Sequence, residues 1–364
     1  MCIRDRTSSP IYALVMAGGS GTRFWPASRE ARPKQYLPIA GGKPMLVETV
    51  DRLAGLVDPA HILVVTSAAQ AALVRECLPD LPEENLIQEP KARNTAPCVA
   101  LGAMEVLRRD PRAVQIVLPA DHVIEPRAAF ERSVRAAAEE AQASASLVTL
   151  GIKPDHPATG YGYIEAAAEL GRRDGCAVHQ VVRFVEKPDA ARAAQFLAQG
   201  GFFWNAGIFV WSGPAIDAAL RTHMPDVVAG LERAFAGGDL TAEYARFAAV
   251  PIDVALLERA DNVRVVPVDY SWSDVGSWAA LAELAPQGEG GNRTALSGGA
   301  RLIAEDAHDC LAYAEGDELI ALVGVQNLVV VRAGNATLVC PRERAQDVKR
   351  IVERLRAAGD QRFL

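Results

Sequence analysis

The chain has 364 residues, half of them hydrophobic, and a formal net charge of −7. That length suits one large domain plus a small one, at about 100–200 residues per domain. The acidic balance, with no basic run interleaved with aromatics, excludes a nucleic-acid surface, and no apolar stretch approaches the roughly 20 residues that cross a membrane.

Residues 1–10 are polar, lack the apolar centre of a secretory signal, and are set aside as a disordered or artefactual extension. From residue 11 the pattern alternates. Strands are predicted at 11–16, 61–66, 85–88, 114–118 and 147–152. Helices are predicted between them at 44–56, 68–77, 95–108 and 127–143. The strand runs are apolar on both faces, as in a buried parallel sheet. The expected fold is therefore α/β, a doubly wound, mostly parallel, Rossmann-like sheet with ligands beyond the strand C-termini. The rhythm changes after residue 152. Strands at 162–166, 178–185, 207–211 and 263–268 are mixed with helices at 189–197, 214–221, 227–235, 243–247, 253–259 and 277–284. Residues 286–292 (Pro-Gln-Gly-Glu-Gly-Gly-Asn) form a linker. Short strands follow at 300–304, 310–314, 319–323, 328–331 and 337–339, then a charged helix at 345–357. This gives a large domain over 11–285 and a small β-rich one over 293–364. The six cysteines form no C-x-x-C pair, which points to a reducing, cytoplasmic setting. The histidines lack H-x-x-x-H, so a zinc site is not expected.

The chemistry begins where the first strand ends. Gly18, Gly19, Ser20, Gly21 and Thr22 form a loop in which glycine lets backbone N–H groups converge. Such a nest holds an anion, and Arg23 and Lys34 add positive charge. The natural ligand is a polyphosphate. The loop is neither a P-loop nor the G-x-G-x-x-G fingerprint. The strand at 114–118 delivers Asp121, a carboxylate placed either to hold Mg²⁺ or to cap a following helix. Asp274, in Trp272-Ser-Asp-Val-Gly-Ser-Trp278, poses the same choice, with Ser277 as a rival cap. Glu186-Lys187-Pro188 puts two charges at a strand end, as a cleft pair or as an exposed ion pair of little energetic weight.

The segment Gly18-Gly-Ser-Gly-Thr-Arg-Phe-Trp-Pro-Ala-Ser28, continued by Arg32-Pro33-Lys34, resembles the signature of the sugar-1-phosphate nucleotidyltransferases, with one extra residue before Pro33. Phe24-Trp25-Pro26 and Pro33-Lys34-Gln35-Tyr36 resemble the mannose-1-phosphate guanylyltransferase branch, and the resemblance runs through most of the chain. It implies Asp121 and Asp274 as Mg²⁺ ligands, Glu186, Asn205 and Gly162 as sugar contacts, and Lys187 on the sugar phosphate. Glu89 and Asn94, in Gln88-Glu-Pro-Lys-Ala-Arg-Asn-Thr-Ala-Pro97, become candidates for reading guanine, although Asn94 or Thr95 also suits a helix cap. The implied reaction joins GTP and mannose 1-phosphate into GDP-mannose and pyrophosphate. Arg23, Lys34 and the loop amides hold the departing pyrophosphate. Rival readings are guanylyl or uridylyl transfer to a manno-heptose or glucose phosphate, or a catalytically silent GDP-mannose-binding homologue. The resemblance also implies a short left-handed β-helix-like C-terminal module; its apolar runs at 319–323 and 328–331 are too short for a large core alone, so it is expected to pack on the catalytic domain and support a homodimer.

Overall fold

The computed structural model describes residues 9–19 and 21–364. Ser20 and nearly all of the expected extension therefore lie outside the described residues. Pro10, at the end of that extension, is tied in: its carbonyl accepts the Val114 N–H at 2.9 Å.

Eleven strands precede the C-terminal module: β1 (Ile11–Met16), β2 (Ile62–Ser67), β3 (Leu86–Glu89), β4 (Val114–Pro119), β5 (Val123–Glu125), β6 (Leu147–Ile152), β7 (Tyr163–Arg173), β8 (Cys176–Val185), β9 (Phe202–Ser212), β10 (Val263–Val268) and β11 (Ser271–Ser273). Nine of them form one sheet in the order β3-β2-β1-β4-β9-β6-β10-β8-β7. The strands from β3 to β4 are parallel. β9 then enters antiparallel to both β4 and β6, so the sheet is mixed, with its parallel part on the N-terminal side. β5 and β11 pair as a separate two-stranded ribbon.

Strand alternation builds two cores. Ala13 and Val15 of β1 face one layer with Phe130 and Val134 of the helix Arg127–Ser144. Tyr12 and Leu14 face the other with Val99 and Ala103 of the helix Thr95–Arg109. The larger of these side chains, Leu14, Val15, Val99, Phe130 and Val134, each contribute about 1.5–3 kcal/mol on removal from water. The sheet is thus fixed from both faces, and the loops leaving its edge inherit that rigidity.

The C-terminal segment adds β12 (Arg293–Leu296), β13 (Arg301–Glu305), β14 (Leu311–Ala314), β15 (Leu319–Val323), β16 (Leu328–Ala333) and β17 (Ala336–Pro341). β12, β14 and β16 stack in parallel, and β13 stacks on β15. Arg293 pairs with Leu311, Leu311 with Val329 and Arg301 with Leu319. Each coil is therefore 18 residues long, the interval also bridged by the Asn292 side chain accepting from Cys310 N–H. The corners repeat at the same step in left-handed backbone: Gly291, Asp309 and Asn327, then Gly298, Gly316 and Gly334. The antiparallel β17 closes the stack. The coil has a small core of its own, around Cys310, Ala312, Ile320 and Leu322. A second cluster joins its Leu311, Tyr313, Val329 and Val331 to Phe24, Trp25, Val275 and Trp278 of the rest of the chain. The expected helix at 345–357 begins instead as a 3₁₀ segment and becomes α-helical over Val348–Ala357.

Candidate active site

Parallel pairing sets the site's base. Met16 of β1 pairs with Pro119 of β4, and Ala120 N–H donates to Met16 O at 3.0 Å. The glycine loop and Asp121 therefore leave the sheet side by side, beyond the strand C-termini, where α/β sheets bind ligands.

The loop is built on glycine for a steric reason. Gly21 has φ +57°, and a Cβ there would stand 2.8 Å from both Cβ and N of Lys34. Its carbonyl accepts from Ser28 Oγ at 2.5 Å, and Gln35 Nε2 donates to Ala17 O at 3.2 Å. Gly18, Gly19 and Arg23 are exposed and Thr22 is partly so, which leaves the loop's outer surface open to an anion.

Lys34 is buried, at 4% exposure. Its Nζ donates to Asp121 O at 3.1 Å, Asp121 Oδ2 at 3.0 Å and Asp274 O at 2.6 Å. An ammonium has three donors, and all three are engaged. Sequence reasoning placed Lys34 on the pyrophosphate; in this arrangement it ties together the two loops that carry the carboxylates. Burial works against ionisation of Asp121, yet Lys34 above all, with Arg23, outweighs it and holds the carboxyl below its ordinary range.

Neither carboxylate caps a helix. Asp121 is followed by β5, and the helix Trp278–Leu284 is capped by Ser277, whose Oγ accepts from Ala280 N–H at 3.3 Å. Asp274 Oδ1 instead accepts from the Tyr161 hydroxyl at 3.1 Å. Burial, and then the Asp274 charge, push the Tyr161 phenol above its ordinary pKa, so it remains a donor at neutral pH. The next residue, Val275, sits at φ +43°, a strained geometry for a β-branched side chain. Such strain is characteristic of functional segments, and here Ser273 Oγ accepts the Val275 N–H at 3.0 Å.

A cleft of about 210 Å³ opens beside these groups, bounded by Gly162, Glu186, Lys187, Asn205, Tyr161 and Asp274. It gathers all four sugar-side residues singled out in the sequence. Glu186 approaches Gly162 closely: a Cβ on that glycine would stand 2.9 Å from Glu186 Oε2. Lys187 also has left-handed backbone, φ +41°, and its Nζ lies 2.5 Å from Glu186 Oε1 at the cleft rim. Asn205 Nδ2 donates to Asp253 Oδ1 at 2.5 Å, and its own Oδ1 accepts from Gly207 N–H at 3.0 Å. Asp253 opens a π-helical turn, Asp253–Leu257, and burial raises its carboxyl pKa. The rings of Trp204, Tyr161 and Trp272 meet edge to face at 5.0 and 5.1 Å. Trp272 Nε1 donates to His122 Nδ1 at 3.2 Å, and burial lowers the His122 pKa.

The two guanine candidates stand apart from this cleft. Glu89 is buried and accepts from the Tyr244 hydroxyl at 3.1 Å; burial raises its carboxyl to about 7. Asn94 is the helix cap: its Oδ1 accepts from Thr95 N–H at 2.8 Å. Thr95 Oγ1 meanwhile accepts from Ile252 N–H at 2.9 Å. Sequence reasoning missed Tyr161, Asp253 and the positioning role of Lys34. Tyr161 was visible within Thr159-Gly-Tyr-Gly-Tyr163, where it reads as another core aromatic. A larger hollow, about 540 Å³, opens near Met224, Phe247 and Arg259. Ala96 and Pro97 of the Gln88–Pro97 segment line it, but none of the residues singled out for phosphate, sugar or metal does, so volume alone does not mark the site.

Among the described residues no group of three or more His, Cys, Asp or Glu side chains gathers as a complete metal cage, and no helix is long and apolar enough to cross a membrane. The nucleotidyl transferase family profile matches residues 12–289, and that of the MannoseP isomerase/GMP-like beta-helix domain matches residues 300–355. The chain is 40% identical to the mannose-1-phosphate guanylyltransferase of Klebsiella pneumoniae over 95% of its own length and 74% of that protein's. It is 40% identical to the xanthan biosynthesis protein XanB of Xanthomonas campestris pv. campestris over 96% and 74%. The crystal structure of a mannose-1-phosphate geranyltransferase from Thermus thermophilus superposes with a TM-score of 0.87 at 37% identity, covering 95% of this chain and 99% of that one. The glycine loop and the two lysine-linked aspartates fall within the first profile match and most of the coiled module within the second, and the chain belongs to the nucleotidyl transferase family.

Proposed function

We propose that the protein transfers GMP from GTP to α-D-mannose 1-phosphate, giving GDP-mannose and pyrophosphate. The observation that carries this reading is the convergence of Asp121 and Asp274 on one buried ammonium, beside a cleft lined by Gly162, Glu186 and Asn205. The near-full-length likeness to proteins named mannose-1-phosphate guanylyltransferase supports the choice of substrates.

A sugar-phosphate oxygen attacks the α-phosphorus of GTP in line. The new P–O bond forms as the bond to the β-phosphate oxygen breaks, and pyrophosphate leaves with the electron pair. The attacking oxygen is already anionic, so no general base is required. Catalysis reduces to positioning and charge stabilisation. The Gly18–Thr22 amides, Ser20 among them, and Arg23 receive the departing pyrophosphate. Lys34 keeps the carboxylate loops at a fixed separation. Lys187 leaves its rim contact with Glu186 to meet the sugar phosphate, while Glu186 and Asn205 take hexose hydroxyls.

The donor set suits magnesium: two hard carboxylates with room for phosphate oxygens, and no histidine or thiolate cage. Bound to Asp121 and Asp274, that ion would supply charge neutralisation to the reacting phosphates. The five described cysteines are free thiols, which supports a cytoplasmic setting. The test is a screen of four nucleoside triphosphates against mannose, glucose and manno-heptose 1-phosphates, read by pyrophosphate release. Turnover confined to GTP with mannose 1-phosphate is the expected result; preference for another pair refutes the assignment.

A further inference from the structure

We propose that His122 is a substrate contact, a neutral imidazole whose Nε2–H donates to a hexose hydroxyl of the bound sugar phosphate. The inference rests on the functional reading above. It starts from a residue that the motif Pro119-Ala-Asp-His122 presents and that the reaction, as derived, leaves without a role.

An indole N–H can only donate. Because Trp272 Nε1 points at His122 Nδ1 at 3.2 Å, Nδ1 is the acceptor and the ring proton resides on Nε2. The ring is fixed there: it meets the Trp272 ring edge-on at 5.3 Å and 88°, and the His122 carbonyl accepts from the buried Arg52 at 3.1 Å. The same ring lines the cleft. Its Cε1, the atom next to Nε2, faces Gly207 and would stand 3.9 Å from a Cβ at that position. Gly207 is held to the Asn205 side chain, which is itself a proposed sugar contact. Among the described residues no protein acceptor is bonded to Nε2. With Nδ1 taken by Trp272, Nε2–H is the donor that the ring has left in the wall of this cleft, held in one tautomer before any ligand arrives, which is the condition for a specificity contact.

The test combines spectroscopy and kinetics. In ¹⁵N-histidine-labelled protein the His122 pair, assigned by its loss in His122→Gln, is expected to show the Nε2–H pattern, and mannose 1-phosphate is expected to shift its Nε2 signal. An Nδ1–H or doubly protonated ring overturns the proposal. His122→Phe keeps a ring and removes the donor. It is expected to raise KM for mannose 1-phosphate about 10-fold, the scale of one hydrogen bond, with KM for GTP within about twofold. His122→Gln restores a donor and should recover part of that loss, and it is the working variant if the phenylalanine protein does not fold. A series of monodeoxy mannose 1-phosphates locates the partner: the analogue lacking the contacted hydroxyl should lose nothing further on substitution. Equal losses across the whole series mark His122 as structural and overturn the contact. An active wild type with an unmoved His122 signal refutes this contact alone, whereas a wild type inactive on mannose 1-phosphate refutes the functional reading and this contact with it.

Discussion

Replacing Lys34 with methionine separates two roles for that lysine. Methionine keeps most of the aliphatic stem and removes the charge and all three donors. In the structure those donors satisfy Asp121 O, Asp121 Oδ2 and Asp274 O. Losing one partner of a fully buried ion pair costs about 3–5 kcal/mol. Here the lysine side chain is 6% exposed but that of Asp121 is 34% exposed, so water relieves part of the stranded charge and brings that loss to about 2–3 kcal/mol. The two abandoned carbonyls add about 1 kcal/mol between them. The expected destabilisation is thus about 3–4 kcal/mol, a Tm drop of about 4–5 °C for a chain of this size. With the carboxylate loops no longer held together, kcat should fall by about 10³-fold. Thermal unfolding without ligand and a coupled pyrophosphate-release assay read the two effects. A lysine that only bound phosphate would leave the ligand-free Tm unchanged and raise KM for GTP. An unchanged Tm with kcat within threefold of wild type refutes the clamp.

Asp121→Ala and Asp274→Ala should each lower magnesium-dependent turnover at least about 10²-fold, with far-UV circular dichroism unchanged; near-normal turnover in either excludes that residue as a metal ligand. Tyr161→Phe removes only the hydroxyl that orients Asp274. It should weaken Mn²⁺ binding to the GTP complex by about 3–10-fold, measured by electron paramagnetic resonance; an unaltered Mn²⁺ affinity contradicts that orienting role. Glu89 tests pH linkage. Its folded pKa, raised to about 7 by burial, lies above the unfolded value, so ionisation penalises the folded state and stability falls as pH rises from about 4.5 to 7. Glu89→Gln, whose amide oxygen still accepts from Tyr244, should be more stable relative to wild type at pH 8 than at pH 5; a pH-independent Tm difference refutes the shift. Truncation after Gly291 uncovers Phe24, Trp25 and Trp278, so the shortened protein should aggregate or lose turnover; a soluble, active fragment argues against the shared core.

The predicted limits of β1, β6, β10 and β15 match the structure: β1 and β6 are mostly buried apolar runs, β10 keeps a valine-rich core around Arg264 and Pro267, and β15 is an all-aliphatic run with alternate side chains exposed, bounded by Glu318 and Gly324. β9 was seen only over residues 207–211. It begins at Phe202, and Asn205 with Gly207 at φ +67° interrupts the apolar pattern where the cleft needs a bend. β7 was cut short because its far half is solvent-exposed and carries no hydrophobic alternation. The β-helix-like module was expected only from the family resemblance; its 18-residue repeat is hard to read in the sequence because it resides in the left-handed corners, filled by Gly, Asp and Asn in turn, and not in a recurring apolar hexapeptide. For the site, the residues with a distinctive local motif were brought together: Lys34, Asp121, Asp274, Gly162, Glu186 and Asn205. What local sequence does not encode is which side chain a lysine or tyrosine meets 87, 113 or 240 residues away. The Lys34 and Tyr161 contacts depend on strand order, and strand order emerges only when the sheet is assembled.

The span of the Lys34 contacts also bears on how the protein is made. The glycine loop is synthesised well before Asp274: the ammonium behind it finds one partner 87 residues later and its last one 240 residues later. Until Asp274 has been synthesised, that lysine lacks one of its three acceptors. A nascent chain stalled before that point should hold a folded parallel sheet and an unfinished centre, so activity cannot appear during synthesis before residue 274 has arrived, however early the glycine loop folds.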